Sequence, residues 1–255
     1  MSIDLSPVLA GTIASLLAGA ATGLGGLPIL GIGRSAARCQ GVMLGFAAGV
    51  MLAASFFSLI VPAIGILDRQ GIGSWPAAAM IAAAVLVGGA LLLALGRFSV
   101  ERFTSEEGLD RTGHRIWLLV AAITLHNAPE GLAVGVSFAR DAGGEGYATA
   151  LGIGIQNIPE GFAVGSALAL RYPPFLAFAV ALASGLVEPV FGALGATLVH
   201  RFAMLLPIAL CLAAGAMISV VMSQIAPELG EDGHAAQGSL LIGLAVMTCL
   251  DVALG

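Results

Sequence analysis

Runs of apolar residues long enough to cross a lipid bilayer fill this chain almost from one end to the other. A membrane-spanning helix needs roughly 20 predominantly apolar residues, and charged or Pro/Gly breaks separate eight such runs. The predicted spans cover residues 7–32, 41–66, 76–96, 116–139, 147–170, 174–199, 203–226 and 237–254. We therefore expect an all-α integral membrane protein, with one transmembrane domain over residues 1–255.

The composition excludes several other classes of protein. Apolar residues make up 58% of the chain and charged residues only 10%, whereas about a quarter of a soluble domain is charged. The net charge of −5 gives no basic surface for nucleic acid. The three cysteines, Cys39, Cys211 and Cys249, form no CxxC pair and indicate neither a disulfide framework nor a thiolate metal site.

The distribution of arginine predicts the orientation in the membrane. All ten basic residues are Arg, and seven of them fall in the loops after the odd-numbered spans, against three in the other loops. The Arg-rich side of a membrane protein is usually cytoplasmic. We therefore expect both termini outside, in a multi-pass protein of the plasma membrane, which in a bacterium is the inner membrane.

Two stretches in the predicted fourth and fifth spans repeat each other. Residues 125–139 read LHNAPEGLAVGVSFA and residues 155–169 read IQNIPEGFAVGSALA, with eight of fifteen aligned positions identical. Consecutive spans run antiparallel, so the two copies form an inverted repeat. Repeats of this kind are frequent in transporters and place binding sites near the middle of the membrane.

Each copy puts a carboxylate, Glu130 or Glu160, inside a membrane segment, and Glu188 adds a third in the sixth span. An ionised acid at the bilayer centre costs at least ~2.5–3.5 kcal/mol. The chain has no Lys to pair with these acids, and no Arg falls well inside a span. The acids must be protonated, hydrated or bound to a cation, and a divalent cation neutralises them most directly.

The spacing within the motifs favours metal ligands. His126 and Glu130 are four residues apart and share a helix face, as do Gln156 and Glu160. Asn127 and Asn157 lie beside them. Pro129 and Pro159 each free the carbonyl four residues earlier. One imidazole with carboxylate and amide oxygens suits a divalent ion such as Zn²⁺, Cd²⁺, Fe²⁺ or Mn²⁺.

These features resemble the ZIP (Zrt-/Irt-like) divalent-metal transporters, and most closely their GufA-like bacterial branch. The HNxPEG motif at 126–131, the QNxPEG motif at 156–161 and the Glu188-Pro189 pair carry the resemblance, which extends over the whole chain. The resemblance implies a ZIP-like fold of eight spans and transport of metal into the cytosol, without enzymatic activity. It also implies an elevator-like motion and a homodimer.

The resemblance further implies a two-metal centre. One ion would be bound by His126, Glu130, Gln156 and Glu160, with Met51 approaching from the second span. The other ion would be bound by Asn127, Asn157 and Glu188. Both motif glutamates would bridge the two ions. Some members of the family have Asp at the position of Asn157. Because Asn157 is neutral, the second metal position here has one negative charge fewer.

Two other functions remain open at this stage. An intramembrane metal-dependent hydrolase would use the same carboxylates, but catalytic zinc sites often include several His, and the spans hold one. A proton-coupled carrier of organic solutes would use Glu130 and Glu160 as proton relays and bind no metal. We expect the charged loop 97–115 and the acidic cluster at 228–234 to be solvated, and Asp251 to be interfacial.

Overall fold

The computed structural model describes residues 6–103, 111–139, 145–201, 205–231 and 233–254, and within these ranges no β-strand occurs. The chain is instead an array of helices joined by short turns. The α-helices are α1 (Pro7–Gly26), α2 (Ile29–Ile32), α3 (Gln40–Ala54), α4 (Val61–Arg69), α5 (Ser74–Phe103), α6 (Arg111–Ala139), α7 (Glu145–Ala169), α8 (Pro174–Gly185), α9 (Glu188–Arg201), α10 (Leu206–Val220), α11 (Ala226–Glu231) and α12 (His234–Leu254). The predicted all-α architecture is confirmed.

Five helical stretches in the described residues are long and apolar enough to cross a membrane. They are Pro7–Arg69, Ser74–Ala94, Pro174–Val199, Leu206–Ser223 and His234–Ala253. The first stretch has 63 residues, which is about 95 Å of helix and far more than one crossing requires. The motif helices α6 and α7 are not among the five, although each is long enough to cross. The count of eight spans stays a prediction.

Two predicted spans are interrupted in the structure. The first, expected at 7–32, ends as α1 at Gly26, and the chain turns at Gly33, whose φ of 51° suits a residue without a side chain. The sixth, expected at 174–199, is divided between α8 and α9. Pro189 explains this break, because it cannot donate the backbone hydrogen bond that would continue the helix from Gly185. The break places Glu188 at the first residue of α9.

Spans two and seven each contain a wide π-helical turn, at Ser55–Ile60 and at Val221–Ile225. Each turn directly precedes a helix whose second residue is proline, Pro62 or Pro227. The surrounding sequences, SLIVPAIG at 58–65 and SQIAPELG at 223–230, share four of eight positions. The sequence analysis missed this second repeat, which gives the two spans matching irregular turns.

The helices pack as two groups. We call α1, α6, α7, α8 and α9 the motif group, in which α1 packs along α7 and α6 along α9; in the flanking group, α3 packs against α12 and α5 against α10. Every described glycine that lies tightly against another helix's backbone does so within its own group. A Cβ at Gly131 would overlap the backbone of Glu188, and one at Gly88 would overlap that of Leu212.

Apolar side chains fill the space between and below the groups. The larger cluster includes Met51 and Met217 of the flanking group with Val134 and Ala163 of the motif group. A smaller cluster joins the start of α6, the end of α7 and α8. At its edge the Trp117 indole N–H donates a hydrogen bond of 2.8 Å to the Tyr172 hydroxyl, with the rings 6.0 Å apart edge to face.

We expect Gly88→Ala to lower the free energy of unfolding by about 1–3 kcal/mol, because the added carbon forces α5 and α10 apart. Gly238→Ala is the matched control, since nothing lies within 4 Å of its added carbon; it should be neutral or stabilising by about 0.5–1 kcal/mol. Thermal unfolding in detergent measures both. Equal melting temperatures for the two variants would contradict the proposed packing.

Candidate metal centre

The two motif helices continue through their internal prolines. α6 contains Pro129 and α7 contains Pro159, and neither proline can donate a hydrogen bond to the carbonyl four residues earlier. The carbonyls of Leu125 and Ile155 therefore lack their usual helical donors. Both are in the turn that carries the first polar residues of the motif, so backbone oxygens accompany the side chains there.

Six amide and carboxylate side chains of the motif group are completely buried. Each has 0% of its surface exposed: Asn127, Glu130, Gln156, Asn157, Glu160 and Glu188. They come from α6, α7 and the first residue of α9. The structure thus brings together the repeated motifs and the sixth-span carboxylate, which are separated by up to 61 residues along the chain.

Hydrogen bonds from the side-chain amides organise this cluster. The Gln156 amide donates to Glu130 Oε1, which ties α7 to α6. The Asn157 amide donates to Glu188 Oε1 at 2.6 Å and to the Ala18 carbonyl at 2.8 Å, which ties α7 to α9 and α1. The Asn127 amide donates to the Ser184 carbonyl at 2.7 Å. The three amide nitrogens therefore join α7 to α6, α9 and α1, and α6 to α8.

The oxygen atoms of the same groups are left for another partner. Five buried oxygens have no hydrogen-bond donor within the described parts of the chain, one on each of Asn127, Glu130, Gln156, Asn157 and Glu188. A buried polar atom without a partner costs about 1–3 kcal/mol. Five of them on adjoining helices form a set of hard oxygen donors, and a divalent cation satisfies such a set.

Electrostatic repulsion among the buried carboxylates also favours a bound cation. Glu130 lies close enough to Glu160 and Glu188 for both to act on its charge, and Glu160 acts on Glu188. Since the chain contains no Lys, a bound cation is the simplest source of compensating positive charge. Among the described residues, no group of three or more His, Cys, Asp or Glu side chains is arranged to hold a metal ion by itself.

Two predicted ligands, His126 and Met51, are not among these six buried side chains. His126 is on α6 one turn before Glu130, and its side chain lies outside the described residues. Met51 is fully buried on α3 and belongs to the larger apolar cluster, which also contains Val134 and Ala163 of the motif helices. The part that these two residues play in metal binding stays a prediction.

Sequence reasoning missed the polar contacts outside the motifs. The Ser58 hydroxyl, in the π turn of the second span, donates a 2.6 Å hydrogen bond to Asp251 of α12, which is half-buried. Its place at the membrane interface stays a prediction. On α1, Ser15 and Thr22 are fully buried. With Gly11 and Ala18 they form a stripe of small residues at helical spacing, a signal that was present in the sequence.

Comparison with known proteins places the chain among named metal transporters. A family model described as "ZIP Zinc transporter" matches residues 101–251. Zinc transporter ZIPB of Bordetella bronchiseptica is 47% identical over 249 residues, covering 92% of this chain and 78% of that protein. Zinc transporter GufA of Myxococcus xanthus is 41% identical over 253 residues, covering 96% and 99%.

Eukaryotic proteins are also among the relatives. Human Zinc transporter ZIP11 is 46% identical over 150 residues, which is 55% of this chain and 44% of that protein.

The contacts of Asn157 predict a stability effect. Asn157→Asp replaces a donor to Ala18 and Glu188 by a further acceptor. We expect the metal-free variant to lose about 1–3 kcal/mol of unfolding free energy, and a divalent cation to restore more stability to it than to the wild type. Thermal unfolding with chelator and then with Zn²⁺ measures both.

Gln237→Glu is the control, because it adds the same charge at an exposed position of α12. Its melting temperature should match that of the wild type under both conditions. An unchanged melting temperature for metal-free Asn157→Asp would show that these contacts do not organise the cluster.

Proposed function

The chain belongs to the ZIP family of zinc transporters, and from this premise we propose that it carries Zn²⁺ into the cytoplasm through a site formed by α6, α7 and the α8–α9 span. It is a transporter and not an enzyme. That excludes the intramembrane hydrolase. The relatives are named for zinc, which also disfavours an organic solute as cargo.

The observation that carries the proposal is the cluster of three buried carboxylates and three buried amides, in which five oxygens have no hydrogen-bond partner among the described residues. A hydrolytic active site or a site for an organic solute would give the three amide side chains no shared role. A cation uses them together: the carboxylates supply charge, and the amides supply neutral oxygens. Cd²⁺, Fe²⁺ and Mn²⁺ are further candidates for the cargo, because each accepts nitrogen and oxygen ligands of this kind.

Two hydrogen-bonded pairs support a binuclear site. Gln156 donates a hydrogen bond to Glu130, whereas Asn157 donates one to Glu188, and these two pairs match the two sets of ligands that we propose. We assign His126 to the first set, together with Met51 as an approaching thioether. Asn127 joins the second set. Glu130 and Glu160 bridge the two ions, which would reduce the repulsion among the three acids.

The packing supports an elevator-like motion. Every polar residue of the candidate centre is in the motif group, and tight glycine contacts hold that group's helices to one another. The flanking group meets it through contacts of α3 with α7 and α10 with α6, which are lined by apolar side chains. A smooth apolar interface lets the motif group slide with its metal while its internal contacts persist.

We propose the bacterial inner membrane as the location, with both termini outside and a homodimer as the assembly. The Arg distribution supports this orientation, since it makes the cytoplasmic side the more basic one.

Zinc flux tests the function directly. Proteoliposomes with a zinc-sensitive dye inside should fill when they contain the wild type. Glu130→Ala and Glu160→Ala should each lower the initial rate at least about tenfold, because each removes charge and a bridging ligand. Asp68→Ala, at an exposed position on α4, is the acidic control and should retain the wild-type rate.

Full flux in both glutamate variants would remove the proposed site. A wild type that neither moves nor binds Zn²⁺ would instead favour the proton-coupled solute carrier.

A disulfide between the two groups tests the motion. Gly152 of α7 lies against the side chain of Met247 of α12, so Gly152→Cys with Met247→Cys links the motif group to the flanking group. Oxidation should lower zinc flux at least about tenfold, and a reductant should restore it. The background lacks the native thiols Cys39, Cys211 and Cys249.

The control disulfide stays inside the motif group. A Cβ at Gly26 of α1 would lie 3.3 Å from the Cβ of Ala181 of α8, close to the separation found in disulfides. Oxidised Gly26→Cys with Ala181→Cys should retain its flux. Equal loss of flux in the two oxidised variants would contradict sliding between the groups.

A further inference from the structure

Thr22 of α1 carries a buried hydroxyl that behaves differently from other helical threonines in this protein. Thr12, Thr124, Thr197 and Thr248 each donate a 2.7 Å hydrogen bond to the carbonyl four residues earlier. Thr22 has 0% of its surface exposed, and its Oγ1 has no hydrogen-bond partner among the described residues. The corresponding carbonyl, that of Ala18, accepts instead from the Asn157 amide.

The position of Thr22 relates this hydroxyl to the candidate centre. A Cβ at Gly161, the residue after Glu160, would overlap the Thr22 backbone. A Cβ at Gly185 would lie 2.6 Å from Thr22 Oγ1, so the hydroxyl faces the end of α8. There the neighbouring Ser184 carbonyl holds Asn127. Thr22 therefore lies between the α7 and α8 segments that position the two asparagines.

We propose that Thr22 Oγ1 is a ligand of the transported cation, contributed by α1 to the set formed by Asn127, Asn157 and Glu188. This inference rests on the proposed function. The hydroxyl is like the five oxygens of the candidate centre in being buried and in having no hydrogen-bond partner among the described residues. It adds a neutral oxygen from a helix that bears none of the sequence motifs.

A neutral hydroxyl ligand has a consequence for metal selectivity. Zn²⁺ is commonly satisfied by four ligands, whereas Mn²⁺ favours six oxygen-rich ones. An added hydroxyl therefore contributes more to Mn²⁺ binding than to Zn²⁺ binding. Thr22 becomes a specificity-determining residue, because it changes the number of oxygen ligands without changing the charge of the site.

The first experiment compares Thr22→Val, which removes the hydroxyl, with Thr22→Ser, which keeps it. Titration of metal-free protein should show Mn²⁺ binding weakened at least about tenfold in Thr22→Val and Zn²⁺ binding weakened by less than about threefold. Thr22→Ser should stay within about twofold of the wild type for both ions. The metal-free Thr22→Val protein should be at least as stable as the wild type, because an unpaired buried hydroxyl has been removed.

Each contrary result has a distinct meaning. Wild-type binding of both ions by Thr22→Val overturns the assignment of Thr22 alone, as does a Thr22→Ser protein that binds like Thr22→Val. A wild type that binds Zn²⁺ but not Mn²⁺ also overturns this inference alone, whereas failure of the wild type to bind either ion overturns the proposed function and this inference together.

A second variant tests contact with the metal by spectroscopy, and it serves even where Thr22→Val does not fold. Thr22→Cys in the background without native cysteines should give a thiolate-to-metal charge-transfer band when Co²⁺ is added. Thr12→Cys is the control, because Thr12 lies on the same helix and bonds to its own backbone. A band in both variants, or in neither, overturns the assignment.

Discussion

The burial of Glu130, Glu160 and Glu188 among apolar helices is the constraint on which the rest of the structure depends. An unpaired charge in a membrane interior is costly, and these three acids act on one another. The neighbouring amides relieve this only in part, since each donates through its nitrogen while its oxygen has no partner in the part of the chain that the structure describes. Because the cluster is acidic and has few hydrogen-bond donors, a bound cation would stabilise it. The tight packing of the motif group keeps these side chains together.

The sequence predicted the centre of the site better than its surroundings. The spacing within each motif, together with its repeat on two consecutive spans, placed Glu130 and Glu160 with the amides. Glu188 was found because it is an acid in an apolar segment next to a proline. The contributions of Ala18 and Ser184 could not be predicted, since they are backbone carbonyls and depend on which helices come into contact. That these residues bind metal stays a prediction.

Some features of the fold were likewise easier to predict from the sequence than others. Length and hydropathy predicted the helices, and α5 and α12 begin within three residues of their predicted starts. The interruptions were harder to predict. Pro189 marks the place where α8 and α9 separate, but a proline alone does not predict a complete break, since α6 and α7 continue through Pro129 and Pro159. The paired π turns were missed because their repeat lies 165 residues apart and shares only four positions. A short match over such a distance has little weight without a structure.

The contact between Trp117 and Tyr172 gives this protein an internal optical reporter. The chain has two tryptophans, and the other, Trp75, is 88% exposed at the start of α5. Trp117 instead joins the start of α6 to the turn between α7 and α8, next to the smaller apolar cluster. Its emission therefore depends on a hydrogen bond within the motif group, while that of Trp75 depends on the surrounding medium. Replacing Trp75 leaves a single fluorophore that follows the end of the motif group through a transport cycle, with no added label.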